Sequence, residues 1–127
     1  MSHRKLLVTF LALLVLSIAT QAQTDGTAEL KRRAEVFAQR MGHTASPVPL
    51  SSVVGGGSAP ETYLPSWGVA LEFPGMSVSE IEETLRRSDP PVIVRVEDGH
   101  VVLDFRTIFA SEEEELLTII RGLSLRT

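Results

Sequence analysis

The sequence contains no cysteine, which excludes a disulfide scaffold, a thiolate nucleophile and a cysteine-ligated zinc site. Lysine is scarce as well, because Lys5 and Lys31 are the only two in 127 residues. An excess of positive charge is also lacking, since 12 Lys and Arg stand against 16 Asp and Glu, for a formal net charge of −4. A domain that handles nucleic acid by itself is usually basic, so we expect no direct nucleic-acid binding.

The sequence does have the composition of one modest globular domain. Hydrophobic residues make up 43% and charged residues 22%, which argues against bulk disorder. A chain of 127 residues leaves little room for two domains. The histidines His3, His43 and His100 have no partner at a ligand spacing, so we expect no metal site.

The first 23 residues differ from the rest of the chain. A basic stretch, His3 to Lys5, precedes an uncharged apolar run from Leu6 to Ile18, and small and polar residues follow up to Gln23. This order is typical of a secretory signal peptide, with cleavage after Ala22, and the apolar run is short against the roughly 20 residues of a membrane span. The other interpretation is a truncated apolar helix. We therefore divide the chain into residues 1–23, which alone would contact a membrane if they are not cleaved, and one domain, 24–127.

Three segments have the apolar spacing of amphipathic helices, namely residues 28–41, 78–87 and 112–123. Residues that can cap a helix N-terminus stand at the start of each one, and these are Asp25 or Thr27, then Ser77 or Ser79, then Ser111. Gly42 is expected to end the first helix. The run Glu112–Glu115 suits the positive end of the last helix dipole, which makes it a helix start rather than a metal site. The basic run Lys31–Arg33 is interpreted as a solvated helix face, with phosphate binding as the alternative.

The remaining apolar segments predict four strands. Val48–Val54 is expected at a sheet edge because of Pro49, and Ser66–Phe73 reads as a buried strand. Val92–Val96 and Val101–Phe105 predict a hairpin, because the Asp-Gly pair between them supplies the positive φ angles of a tight turn. The predicted fold class is α+β, a small antiparallel-rich sheet with helices packed on one face, in the order α-β-β-α-β-β-α.

Two sets of residues are candidates for contacting a substrate or a partner. The first is a loop of Gly55, Gly56, Gly57 and Ser58, whose backbone N–H groups can approach a phosphate. This loop lacks the Gly-Lys-Ser/Thr end of a P-loop, and the other interpretation is a flexible crossing between strands.

The second set is Arg95 and Arg106, at or near the hairpin, since arginine binds a carboxylate or phosphate bidentately. The alternative for Arg106 is a structural ion pair with Asp104, two residues away on the same strand face. Tyr63 and Trp67 are interpreted as rim and core rather than as a stacking platform. No catalytic residue, cofactor ligand or metal ligand is predicted.

Four motifs in order resemble the C-terminal small domain of the bacterial L-seryl-tRNA(Sec) selenium transferase family, where the pattern is roughly GGGS-x-P, LPS, PVIGRIEDG and LDLRT. Here they read Gly55–Pro60, Leu64–Ser66, Pro91–Gly99 and Leu103–Thr107. The resemblance covers about residues 28–123. It departs from the family at Val94, where a glycine is usual, and at His100, where an arginine is common.

The resemblance implies a pyridoxal-phosphate (PLP) enzyme of fold type I that converts seryl-tRNA(Sec) to selenocysteinyl-tRNA(Sec) with selenophosphate, as a ring-shaped homo-oligomer. It also implies a large domain that carries the Schiff-base lysine, and neither Lys5 nor Lys31 lies in a matching motif. We therefore expect an isolated small domain that is not catalytic on its own and binds no cofactor alone. Its expected partner is a PLP-binding large domain or a second copy, in the cytoplasm. The alternative is a secreted or periplasmic α+β interaction domain of unknown ligand.

Overall fold

The structure of the protein, a computed structural model, describes residues 26–54 and 62–126. Its regular elements follow one another as α1 (26–41), a 3-10 turn (Gly42–Thr44), β1 (Ala45–Val54), β2 (Thr62–Leu71), α2 (Val78–Arg86), β3 (Arg95–Glu97), β4 (His100–Asp104), a second 3-10 turn (Ala110–Glu112) and α3 (Glu113–Ser124). The predicted α+β class and order of elements are confirmed. The predictions for residues 1–23 and for Gly55–Ser58 lie outside the described residues.

The four strands form one antiparallel sheet in the order β1-β2-β4-β3. β1 lies at an edge, as Pro49 predicted, but it begins at Ala45 rather than Val48, because an edge strand can contain prolines whose missing N–H faces away from the sheet. β1 pairs with β2 over ten residues, whereas β2 pairs with β4 only from Gly68 to Leu71. Residues 49–54 and 62–67 therefore extend past β4 as a two-stranded ribbon, called the arm below.

The predicted hairpin is confirmed, and its turn has positive φ at both central residues, 50° at Asp98 and 75° at Gly99. These are the angles that a two-residue hairpin turn requires. β3 is shorter than predicted, because only Arg95–Glu97 pair with β4. The backbone before it has another partner, since the Val92 N–H donates to the Leu85 carbonyl at the end of α2 (2.8 Å).

All three helices cover one face of the sheet, as predicted. The same-face residues Val69, Leu71, Val101 and Leu103 join a single apolar core with helix residues; the helix residues are Leu30, Ala34, Phe37, Ala38, Ile81, Leu85, Leu116, Leu117, Ile120 and Leu123. Phe105 is fully buried in this core and meets the ring of Phe37 edge to face, with centroids 5.4 Å apart. A fully buried Leu, Ile, Val or Phe side chain of this core contributes about 1.5–3 kcal/mol to the stability relative to the same side chain in water.

Two of the three helix-end predictions that fall on described residues are confirmed. Gly42 ends α1 with a φ of 78°, and Ser77 caps α2 by accepting the Glu80 N–H. The prediction that Ser111 caps the last helix is wrong, because Ser111 lies inside the 3-10 turn that precedes α3. There the Glu112 carboxylate accepts a hydrogen bond from the Phe109 N–H (3.0 Å), so a residue of the acidic run caps the 3-10 turn. None of the described helices is long and apolar enough to cross a bilayer.

Candidate functional site

A buried carboxylate organises the sheet face opposite the helices. Asp104, at the end of β4, is only 5% exposed. Its oxygens accept from the hydroxyls of Ser52 and Ser66 (2.6 Å each), which belong to β1 and β2 in the arm. They also accept from the Arg106 N–H and the Arg95 guanidinium (3.0 Å each). One side chain therefore ties the arm to the rest of the sheet.

Arg95 completes this network with a side chain that is 41% exposed. Besides Asp104, its guanidinium donates to the Glu97 carboxylate and to the Ser51 carbonyl (3.4 Å). The predicted ion pair between Asp104 and Arg106 is wrong. The chain turns away from the sheet at Phe105, so Arg106 gives Asp104 its backbone N–H instead of its charge.

The environment of Asp104 favours the ionised form of its carboxyl group. Burial alone would raise the pKa of its carboxyl group, but hydrogen bonds from Ser52, Ser66 and the Arg106 N–H, together with the charge of Arg95, outweigh it and lower the pKa below its usual value. The ionised carboxylate is therefore the acceptor that joins the two serine hydroxyls of the arm to β4.

A groove with a volume of about 1090 Å³ lies on the helix-covered side of the sheet. It lies between the first turns of α1, the arm strand β2 and the segment Phe105–Ala110. Trp67 is partly buried against the core at its wall, while Tyr63 is 60% and Phe109 72% exposed. Trp67 and Tyr63 thus take the core and rim positions that the sequence indicated, but both also line the groove.

Three cations and no carboxylate are among the described residues that line this groove. Arg33 is committed to the fold, because it donates to Glu113 (2.5 Å) and to the carbonyls of Ile108 (2.6 Å) and Phe105 (3.3 Å). The solvated-face interpretation of the basic run is therefore wrong for Arg33, although Lys31 and Arg32 are exposed as predicted. Lys31 and Arg106 are the exposed cations of the groove.

Lys31 and Arg106 each contact a residue of β2 at the wall of the groove. The ammonium of Lys31 lies 5.1 Å from the centroid of the Trp67 ring and 3.7 Å from the Glu35 carboxylate. The guanidinium of Arg106 donates to the Pro65 carbonyl. Of the two predicted arginines, Arg95 is therefore structural and Arg106 faces a groove.

Sequence reasoning did not find Ser52, Ser66 or Phe109 as members of these two features. An aspartate inside an otherwise apolar strand was the available signal for the buried network, but its serine partners depend on strand register. Gly55–Ser58, outside the described residues, connects the two strands of the arm. Within residues 26–54 and 62–126, no three histidine, aspartate or glutamate side chains are grouped closely enough to hold a metal ion.

Comparison with known proteins gives a consistent result. The sequence profile of the L-seryl-tRNA selenium transferase family matches residues 7–109. The L-seryl-tRNA(Sec) selenium transferase of Caldanaerobacter subterraneus subsp. tengcongensis is 44% identical over 77 residues, which are 61% of this chain and 17% of that protein. Those of Geobacter sulfurreducens and Aquifex aeolicus are 34% identical over 107 residues and 30% identical over 109 residues. These alignments cover 80% and 86% of this chain, but only 23% and 24% of the relatives. The chain thus spans less than a quarter of the length of these relatives.

Proposed function

The chain belongs to the L-seryl-tRNA selenium transferase family, and we propose that it acts as the small C-terminal domain of a selenocysteinyl-tRNA(Sec)-forming assembly, without catalytic activity of its own. The profile match over residues 7–109 carries this proposal. The folded elements support it, because the motif Pro91–Gly99 contains the hairpin turn and Leu103–Thr107 contains the buried Asp104. In this proposal the chemistry takes place on a separate PLP-binding large domain, which the small domain contacts.

The described residues do not fit PLP. The cofactor supplies an electron sink when it is held as a Schiff base on a lysine, and such a lysine is enclosed next to groups that bind the phosphate. Lys31, the lysine among the described residues, has a side chain that is 48% exposed and lies beside Glu35 and the Trp67 ring. We therefore derive no step through the cofactor for this chain.

The cytoplasm is the location that fits this function. The family match begins at residue 7 and so includes most of the apolar run Leu6–Ile18, which supports the truncated-helix interpretation of that run. The basic, apolar and small-residue order of residues 3–23 favours a second candidate, an exported α+β interaction domain. Sequencing the mature N-terminus in cell fractions separates the two, because export predicts a chain that begins at Gln23 outside the cytoplasm.

A graft experiment tests the proposed role directly. The matched C-terminal part of the Aquifex aeolicus relative is replaced by residues 28–123 of this chain, and selenocysteinyl-tRNA(Sec) formation is measured beside the truncated relative. The proposal expects the graft to regain activity that the truncation loses. A graft that is folded and assembled like the intact relative, yet as inactive as the truncation, contradicts it.

The absence of independent cofactor chemistry is tested on the chain alone. After incubation with PLP, borohydride reduction and mass spectrometry, we expect no stoichiometric adduct. One specific adduct on Lys31 or Lys5 would overturn the non-catalytic part of the proposal.

A further inference from the structure

The groove between α1, the arm and the segment Phe105–Ala110 is lined by cationic and aromatic side chains. We propose that it binds an acidic, apolar segment of another polypeptide chain. This inference does not depend on the selenium transferase role, because it rests only on the residues that line the groove.

Charge complementarity is the first reason. The chain as a whole carries a formal net charge of −4, yet the described lining of the groove contains Lys31, Arg33 and Arg106 and no carboxylate. Arg33 is held by Glu113, whereas Lys31 and Arg106 are exposed and are the cations that would meet a partner. A ligand with two or more carboxylates would therefore be attracted to this groove.

The apolar surface of the groove is the second reason. Tyr63 and Phe109 are two of the most exposed large apolar side chains of the described residues, and Trp67 forms the wall near them. Aromatic side chains with adjacent arginines are the composition of binding hot spots in protein interfaces. Apolar side chains of a partner segment would cover these rings while its carboxylates reach Lys31 and Arg106.

The groove is also held in shape before any partner arrives. Arg33 on α1 donates to the carbonyls of Phe105 and Ile108, and thereby fixes the segment that carries Phe109. On the opposite wall, Arg106 donates to the Pro65 carbonyl in β2. A preformed recess loses less conformational entropy on binding than a mobile one.

A single-stranded nucleic acid fits these observations less well than a polypeptide. Binding to a polyphosphate needs several cations that replace counterions, and only two of the three cations that line the groove, Lys31 and Arg106, are exposed. Binding of RNA in preference to an acidic peptide would therefore contradict the proposal.

The test uses the full chain and its single tryptophan, since Trp67 is the only one in the sequence and lines the groove. Random 12-residue peptides displayed on phage are selected on the wild-type chain, after depletion on the double variant Lys31→Gln, Arg106→Gln. The enriched peptides are expected to be net negative with several apolar residues. Titration of the best synthetic peptide should change Trp67 fluorescence and saturate.

Variants then locate the contact. Arg106→Gln and Lys31→Gln are each expected to weaken the peptide's Kd by about tenfold, the effect of one lost charge-assisted hydrogen bond. The matched control is Arg126→Gln, an exposed arginine that lines a different recess with Arg87 and Leu123, and it should leave the Kd unchanged. Circular dichroism of all three variants confirms that they are folded.

Three results would overturn the proposal. The first is the absence of any enriched peptide, or enrichment of neutral or basic ones. The second is a 12-nucleotide uridine oligomer that binds more tightly than the best peptide. The third is a groove closed by the chain's own leader, in which case peptide binding is absent in the wild type but appears when apolar residues of Leu6–Ile18 are replaced by serine.

Discussion

The two faces of the sheet are closed in different ways. On one face, three helices bury a continuous apolar core around Phe105, and the stabilising force is non-directional burial. On the other face no described helix packs, and the arm is held to the sheet by the buried carboxylate of Asp104. That face depends on directed hydrogen bonds and on close backbone approach, so it should respond to different substitutions from the first.

The largest effect is expected on the helix-covered face. Phe105→Ala removes a fully buried ring that packs on Phe37 and lies 5.5 Å beneath the Arg33 guanidinium. We expect a loss of about 3–5 kcal/mol in the free energy of unfolding, the usual cost of a phenylalanine-to-alanine cavity. Urea denaturation followed by circular dichroism measures it. Phe109→Ala is the matched control, because Phe109 is 72% exposed and its loss should change stability little.

On the other face, adding one methyl group should be almost as harmful. A Cβ at Gly68 would overlap the Leu103 carbonyl oxygen and the Leu50 side chain, and the backbone oxygen cannot move without breaking the β2–β4 pairing. We expect Gly68→Ala to destabilise the fold by about 3 kcal/mol, at the upper end of overpacking costs. Gly122→Ala, where a Cβ meets nothing within 4 Å, is the control. Equal stability of the two variants in urea would contradict the close approach.

Removing the carboxylate tests the directed hydrogen bonds themselves. Asp104→Ala leaves the buried Ser66 hydroxyl and the Arg106 N–H without their acceptor, and we expect a loss of about 2–3 kcal/mol. Ser52→Ala removes one donor and should cost about 1 kcal/mol. In the double variant the two losses should not add, since both substitutions break the same contact. Full additivity in urea melts would show that the arm is not held by this pair.

The smallest effect is a pH dependence confined to the Asp104 face. Because the folded-state pKa of Asp104 is lowered, its contribution is complete above the unfolded value of about 4 and is lost as the pH falls through the folded value. The stability difference between wild type and Asp104→Ala should therefore be constant from pH 7 to pH 5 and shrink below about pH 4. Phe105→Ala should show no such convergence. A stability difference between wild type and Asp104→Ala that stays constant down to pH 2.5 would contradict a stabilising role for the ionised carboxylate.

Local signals predicted most of the fold, and they failed where distant groups compete. The Asp98-Gly99 turn, the Ser77 cap and the Gly42 stop depend on neighbouring residues, and all three are confirmed. The length of β3 was overestimated because the Val92 N–H is taken by α2, which periodicity does not show. Ser111 failed as a cap because the chain already forms a 3-10 turn over Ala110–Glu112, so Ser111 lies inside this turn rather than before the helix.

The candidate site was less accessible to sequence reasoning. Arg95 and Arg106 were found as a pair of equivalent candidates, yet Arg95 is bound to the buried Asp104 and Arg106 lies at the groove. Two residues of separation on a strand predicted that Asp104 and Arg106 would pair. The chain leaves the sheet at Phe105, and the side chains of Asp104 and Arg106 therefore do not lie side by side on one strand face.

The fold class, the order of elements and the family could be read from the sequence, because composition, periodicity, turn chemistry and motif order are carried by local stretches of chain. The roles of the polar side chains became visible in the folded structure alone. The partners of Asp104 lie 52 and 38 residues away in the chain, and the groove joins residues from α1, β2 and the segment after β4. Such contacts depend on strand register and on where the chain leaves the sheet, and no local pattern encodes either.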